Sequence, residues 1–139
     1  MPDMVLGSWK KIYDGPHGEV WMHERCVKEL GKIKETRMEA GIRSVMKNKF
    51  CQFEDLGDLH NEEFRREGNK QRNGRQLRLH AFKRYQLRVY GSIGNVANNR
   101  AFFAAVAVQK KEKKLDGNHA DTCADRLQTV ETEIKNAKL

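Results

Sequence analysis

Eight consecutive apolar residues, Ala101-Phe102-Phe103-Ala104-Ala105-Val106-Ala107-Val108, constrain the fold of this chain more than any other stretch. A segment apolar on both faces must be covered on both, which is the signature of a central strand. The run is the longest of its kind in the sequence, yet far below the roughly 20 residues that a membrane helix requires. A chain of 139 residues holds one domain with a real core and is too short for two ordinary ones, so residues 1–139 read as a single domain.

Other elements follow from local pattern. Trp9 to Tyr13 reads as a short strand, ended by the turn signal Asp14-Gly15-Pro16-His17-Gly18. Val20, Val27, Leu30, Ile33, Ile42, Val45 and Met46 recur mostly at steps of three, four or seven. That spacing predicts a helical hairpin over about 19–30 and 33–49, broken at Gly31; one long helix bent near Gly31 or Gly41 fits the same periodicity. The stretch of about 51–75 is polar, acidic first and basic after, and reads as a long solvated loop with a short helix near Glu62–Arg66. Asp55, Asp58, Glu62 and Glu63 are expected to pair with the arginines that follow them. Strict alternation over Gln76–Ala81 and Gln86–Tyr90 predicts a β-hairpin with Lys83 and Arg84 in its connection. Gly91–Asn99 reads as a Gly/Asn loop and Asp121–Leu139 as a terminal helix. The expected class is therefore α+β: an N-terminal strand, a helical hairpin, a small antiparallel sheet and a C-terminal helix, with the helices on one face.

Charge narrows the function classes. Lys and Arg number 27 against 19 Asp and Glu, a net +8, and the sequence pI is near 9.5. A balance of that kind attracts polyanions, nucleic acid first and an acidic protein second. Cys26, Cys51 and Cys123 are far apart and odd in number, which argues against a disulfide framework or a closed zinc site. Asp14, His17, Glu19 and His23 have irregular spacing in a turn-rich context, so no metal and no cofactor is expected. The N-terminus lacks a basic region followed by an apolar one, so a cytoplasmic protein without membrane contact is expected.

The alternation also predicts a site. If Leu77, Leu79 and Ala81 share a buried face with Leu87 and Val89, the opposite face presents Arg78, His80, Arg88 and Tyr90. The basic run Lys110–Lys114 leaves the neighbouring strand close by. Arginine holds phosphate oxygens bidentately, lysine supplies a point charge, and tyrosine and arginine stack on unpaired bases. Such a set is suited to a phosphodiester and, with His, Tyr or a lysine of lowered pKa moving protons, to its cleavage.

The segment from Gly57 to Arg126 resembles the RelE/ParE toxin superfamily, and within it the phage-derived HigB-like branch. Gly74-Arg75-Gln76-Leu77-Arg78 is similar to that branch's glycine-led strand, with Gln76 where the pattern has an acidic residue. Tyr85-Gln86-Leu87-Arg88-Val89-Tyr90 is similar to its second strand with one residue inserted. Phe102–Val108 with Gln109-Lys110-Lys111, then Ala120–Arg126, resemble its last strand and following helix. The resemblance implies a toxin of a toxin–antitoxin pair that cleaves mRNA on the ribosome without a metal and is neutralised by a cognate antitoxin protein. Carried over by position, Arg88 would stabilise the transition state, followed by Arg78 and Lys110. His80 or Tyr90 would serve in proton transfer or stacking, and Lys83, Arg84, Lys111 and Lys113 would grip RNA. A non-catalytic topoisomerase inhibitor of the ParE type, and a phage accessory protein that binds nucleic acid or a host protein, are the alternatives.

Overall fold

The computed structural model describes residues 5–33, 36–59, 62–72, 74–109 and 117–136. Strands β1 (Val5–Leu6), β2 (Trp9–Gly15) and β3 (Gly18–His23) form an antiparallel ladder. Two helices follow, α1 (Glu24–Gly31) and α2 (Thr36–Val45), the second running into a wide turn over Met46–Phe50. Strands β4 (Phe64–Arg72), β5 (Arg75–Arg84), β6 (Leu87–Val96) and β7 (Asn99–Gln109) make an antiparallel meander, and α3 (Gly117–Asn136) comes after them. In space the order is β1-β2-β3-β7-β6-β5-β4. The two ladders meet where β3 lies parallel to β7, with Glu19 opposite Ala101 and Met22 opposite Ala104.

This corrects the expected class. The sheet is mixed and has six full-length strands plus the two-residue β1, and helices cover both faces. On one face α1, α2 and the wide turn after them bring Cys26, Leu30, Ile42, Met46 and Phe50 onto Val20, Met22, Phe82, Val89 and Phe102. On the other, α3 brings Cys123, Leu127 and Val130 onto Trp9, Trp21, Leu79, Ala81 and Phe103. Residues Ala101–Ala107 are all buried between these layers, as their two-sided apolar sequence requires. Phe50, Phe64, Phe82 and Phe102 meet edge-on or tilted, with ring centroids from 4.6 to 6.0 Å apart. Burying each such ring contributes about 1.5–3 kcal/mol.

Three segments depart from the sequence reading, each for a local reason. Gly18–His23 is a strand, not the start of a helix: Val20 and Met22 face one layer and Trp21 the other. The helix begins only after His23, whose Nδ1 accepts the Arg25 N–H at 3.1 Å and caps α1. The polar stretch at 51–75 contains β4, an edge strand whose charged side chains are those of a sheet border. Within the same stretch Asp55 caps the turn at Gly57 and Glu63 pairs with Lys49, so these acids do not pair with the arginines after them. Gly91–Asn99 is mostly strand, and the turn to β7 is made by Ala97 and Asn98, both at positive φ.

The β6–β7 pairing shifts register between Tyr90 and Gly91, leaving Ala105 as an extra residue on β7. A Cβ on Gly91 would lie 2.0 Å from the Phe103 carbonyl oxygen, so only glycine fits there. The β3 partner ends at Met22, and beyond Ala104 the edge of β7 is served by side chains. Arg126 Nη1 donates to the Ala105 carbonyl at 2.8 Å, and Glu29 Oε1 accepts the Ala107 N–H at 3.2 Å. The same two residues form a bidentate pair, Nη1–Oε1 2.8 Å and Nη2–Oε2 2.9 Å, which joins α1 to α3 around that edge.

Two stability measurements follow. Gly91→Ala is expected to lose about 2 kcal/mol or more in urea unfolding, because backbone must move to admit the methyl group; a loss under about 0.5 kcal/mol contradicts the packing described. Glu29→Ala and Arg126→Ala, alone and combined, are expected to show a coupling of about 1–3 kcal/mol, and additive effects would contradict the clamp.

Candidate active site

The register of β5 against β6 decides which side chains can act together. Lys83 stands opposite Arg88, Phe82 opposite Val89 and Ala81 opposite Tyr90. Opposed residues share a face, so Lys83, Arg88, Ala81 and Tyr90 lie on the α3 side, and Phe82 and Val89 on the α1–α2 side. The expected single face of Arg78, His80, Arg88 and Tyr90 is therefore split. Arg88 and Tyr90 remain together; Arg78 and His80 project from the opposite face. Leu87 and Val89 likewise pack on a different layer from Leu79 and Ala81.

A cluster of cations forms on the α3 side, where β4, β5 and β6 run past that helix. Arg65 stands opposite Ala81 and shares its face; Glu67 is the extra residue of a bulge between Arg66 and Gly68. Arg65 Nε donates to Glu67 Oε1 at 3.1 Å, and the Glu67 side chain is almost fully buried. Lys83 sits among Arg65, Arg88, Glu67 and Glu62. Burial and then the neighbouring Arg65 and Arg88 charges hold its ammonium below the ordinary lysine range, with Glu67 and Glu62 opposing the shift. The Lys83 backbone N–H donates to the Glu63 carbonyl at 2.8 Å, which binds the chain before β4 to this corner.

Arg88 is a buried cation, 8% exposed. Its Nη1 donates to the carbonyls of Tyr85 and, at 3.0 Å, Leu87, and its buried Nε has no hydrogen-bond partner. A guanidinium held in that way is preorganised. Glu62, Glu63, Lys83, Arg84, Tyr85 and Arg88 line a cleft of about 330 Å³ at the end of the hairpin. Gln109, the last described residue of β7, is opposite Leu87 beside this corner. Lys110, Lys111 and Lys113 lie outside the described residues.

The remaining expected residues lie outside this cluster of cations. Tyr90 is 1% exposed, and burial pushes its phenol up to about 12, with Glu67 adding to the shift. It is a core residue beneath α3. His80 stacks on Phe64 at 5.4 Å, and burial, then Arg66, lowers its pKa. Arg78 is exposed on the same face. Sequence alone does not single out Arg65 and Glu67, because the consecutive charges Arg65-Arg66-Glu67 read as a solvated loop. Of the four residues weighed as metal ligands, Glu19 accepts from Trp21 Nε1 at 2.8 Å and meets Lys11, which also meets Asp14. His23 caps α1. Among the described residues no group of three His, Cys, Asp or Glu is placed to hold a metal ion, and no helix is long and apolar enough to cross a membrane. No family model matches the chain, and neither a curated protein nor a solved structure matches it.

Two titrations test this electrostatic picture. Lysines labelled by 13C reductive methylation should include one, absent in Lys83→Met, that titrates below the rest and moves upward in Arg65→Ala; a Lys83 signal at the ordinary lysine value contradicts the cluster. His23 is also lowered, by burial first and Arg126 next. For His23 and His80 the folded pKa lies below the unfolded value of 6.5. The unfolded chain then binds more protons in that window, so their contribution is full above pH 6.5 and lost as pH falls through the folded values. Urea midpoints at pH 7.5 and 5.5 should therefore fall together with pH, and the fall should be smaller in His23→Gln and in His80→Gln. An unchanged slope in both variants contradicts the assignment.

Proposed function

We propose that this protein is a metal-independent endoribonuclease that cuts mRNA on the ribosome, acting as the toxin of a toxin–antitoxin pair, with its active centre in the Lys83–Arg88 cleft. One observation carries the reading: strand register sets Lys83 opposite Arg88, with Arg65 on the same face, at the wall of an open cleft, where burial and then the two arginines lower its pKa. An amine whose pKa is lowered gives up its proton more readily than an ordinary lysine, which is the property a general base needs. Arg88, fixed on backbone carbonyls, supplies charge stabilisation that needs no reorganisation as the phosphorane forms.

In this mechanism Lys83 takes the proton of the RNA 2′-hydroxyl. The 2′-oxygen attacks phosphorus, the P–O5′ bond breaks, and the departing 5′-oxygen takes up a proton from solvent water, which regains one from the Lys83 ammonium. The products are a 2′,3′-cyclic phosphate and a 5′-hydroxyl. Arg88 and Arg65 offset the negative charge that accumulates on the phosphoryl oxygens. Arg84, at the rim of the cleft, grips the backbone of the bound strand. An antitoxin that neutralises this activity would present acidic side chains to the cluster. The net charge of +8 supports RNA over an apolar protein target, because phosphate contacts dominate nucleic-acid affinity.

Induction in bacteria with mapping of mRNA 5′ ends tests the proposal. Growth arrest with new cuts at translated codons is expected. Lys83→Met and Arg88→Gln, expressed and folded, should reduce the cuts by about 100-fold or more, as loss of a general base or of a transition-state donor does. Arrest without cuts favours the topoisomerase alternative, and neither arrest nor cuts from folded protein favours the non-catalytic binding protein.

A further inference from the structure

We infer that Tyr85 is a nucleobase platform: one unpaired base of a single-stranded RNA stacks on its ring while the adjacent phosphate enters the Lys83–Arg88 cleft. The inference rests on the cleft being an RNA site, and adds to it a base-contacting residue and a requirement for single-stranded substrate.

Four observations converge on this residue. Tyr85 is 71% exposed, and it is the exposed large hydrophobic residue among the described ones. It occupies the two-residue turn between β5 and β6 with φ +52°, a conformation that costs an aromatic residue strain and glycine none. The Arg84 guanidinium carbon lies 5.1 Å from the ring centroid and covers one face, leaving the other to solvent. The Tyr85 carbonyl accepts from Arg88 Nη1, so the ring is coupled through its own backbone to the buried cation of the cleft.

The platform has a support that also carries a conformational cost. Arg84 runs along Gly41 in α2, where a Cβ would approach its Nε, Cγ and Cδ to 2.7–2.9 Å. A glycine inside a helix weakens that helix, and here it provides the groove that holds the Arg84 stem beneath Tyr85. An unfavourable backbone at Tyr85, a helical glycine at Gly41 and an aromatic ring left in water serve packing poorly. They are consistent with a ring presented to a flat partner. Every base has a π-face, so stacking tolerates any sequence, whereas a base already paired and stacked in a duplex is not available to the ring.

Binding of an eight-nucleotide 2′-O-methyl oligonucleotide, which cannot be cleaved, separates this inference from the reading beneath it. Fluorescence anisotropy at fixed salt reads affinity, and 2-aminopurine quenching reads stacking. Wild type should bind the single strand and quench 2-aminopurine at one position. Tyr85→Ala should lose about tenfold in affinity together with the quenching, and Tyr85→Phe should retain both. Gly41→Ala, which displaces Arg84, should weaken binding in the same direction by a smaller factor. An abasic substitution at the quenched position should erase the difference between wild type and Tyr85→Ala. Equal affinity of wild type and Tyr85→Ala, with binding still weakened in Lys83→Met, overturns the platform and leaves the RNA site standing. Absence of binding by the wild type overturns both.

Discussion

The parallel pairing of β3 with β7 is the constraint on which the remaining architecture depends. It joins residues 19–22 to residues 101–104 and makes one sheet of two antiparallel ladders. It places β7 in the middle, where only a strand apolar on both faces can sit. It sends the intervening chain through α1 and α2 on one side before β4 begins at the far edge. Where β3 stops, Glu29 and Arg126 take over the edge of β7, satisfying Ala105 and Ala107 and joining the two helical layers. That one ion pair belongs to both cores.

From β7 the register propagates outward to the site. The extra residue at Ala105 sets how β6 meets β7, and the short turn at Tyr85 sets how β5 meets β6. Together they put Lys83 opposite Arg88 and bring Arg65 from β4 onto the same face. Burial, and then the like charges of Arg65 and Arg88, lower the pKa of Lys83 in this corner. The chemistry proposed for the cleft is thus a consequence of strand register as much as of residue type.

Much of this was legible in the sequence, and the misreadings have physical causes. The eight apolar residues at 101–108 and the alternation at 76–81 and 86–90 mark strands because burial on one or two faces writes itself into residue order. Which face each alternating set occupies is not written there. It depends on the length of the turn, and Tyr85 at positive φ gives no warning in a sequence where glycine would. Hence alternation alone puts Arg78 and His80 with Arg88, although they occupy opposite faces of the sheet. Edge strand β4 was hidden because an edge exposed to water carries the charges of a loop. The apolar residues of β3 fell by chance into helical spacing with those of α1. Arg88 was legible by its position, Lys83 only as a turn cation, and the Arg65–Glu67 pair not at all.

The most direct test of the account is the pH dependence of single-turnover mRNA cleavage by the purified protein on programmed ribosomes. If neutral Lys83 is the base, the rate rises tenfold per pH unit and levels off below the ordinary lysine pKa of about 10.4. The inflection then shifts upward in Arg65→Ala, which removes one of the charges that depress Lys83. A rate that is flat with pH, or an inflection that stays in place in Arg65→Ala, would contradict the assignment of the reaction to this lysine.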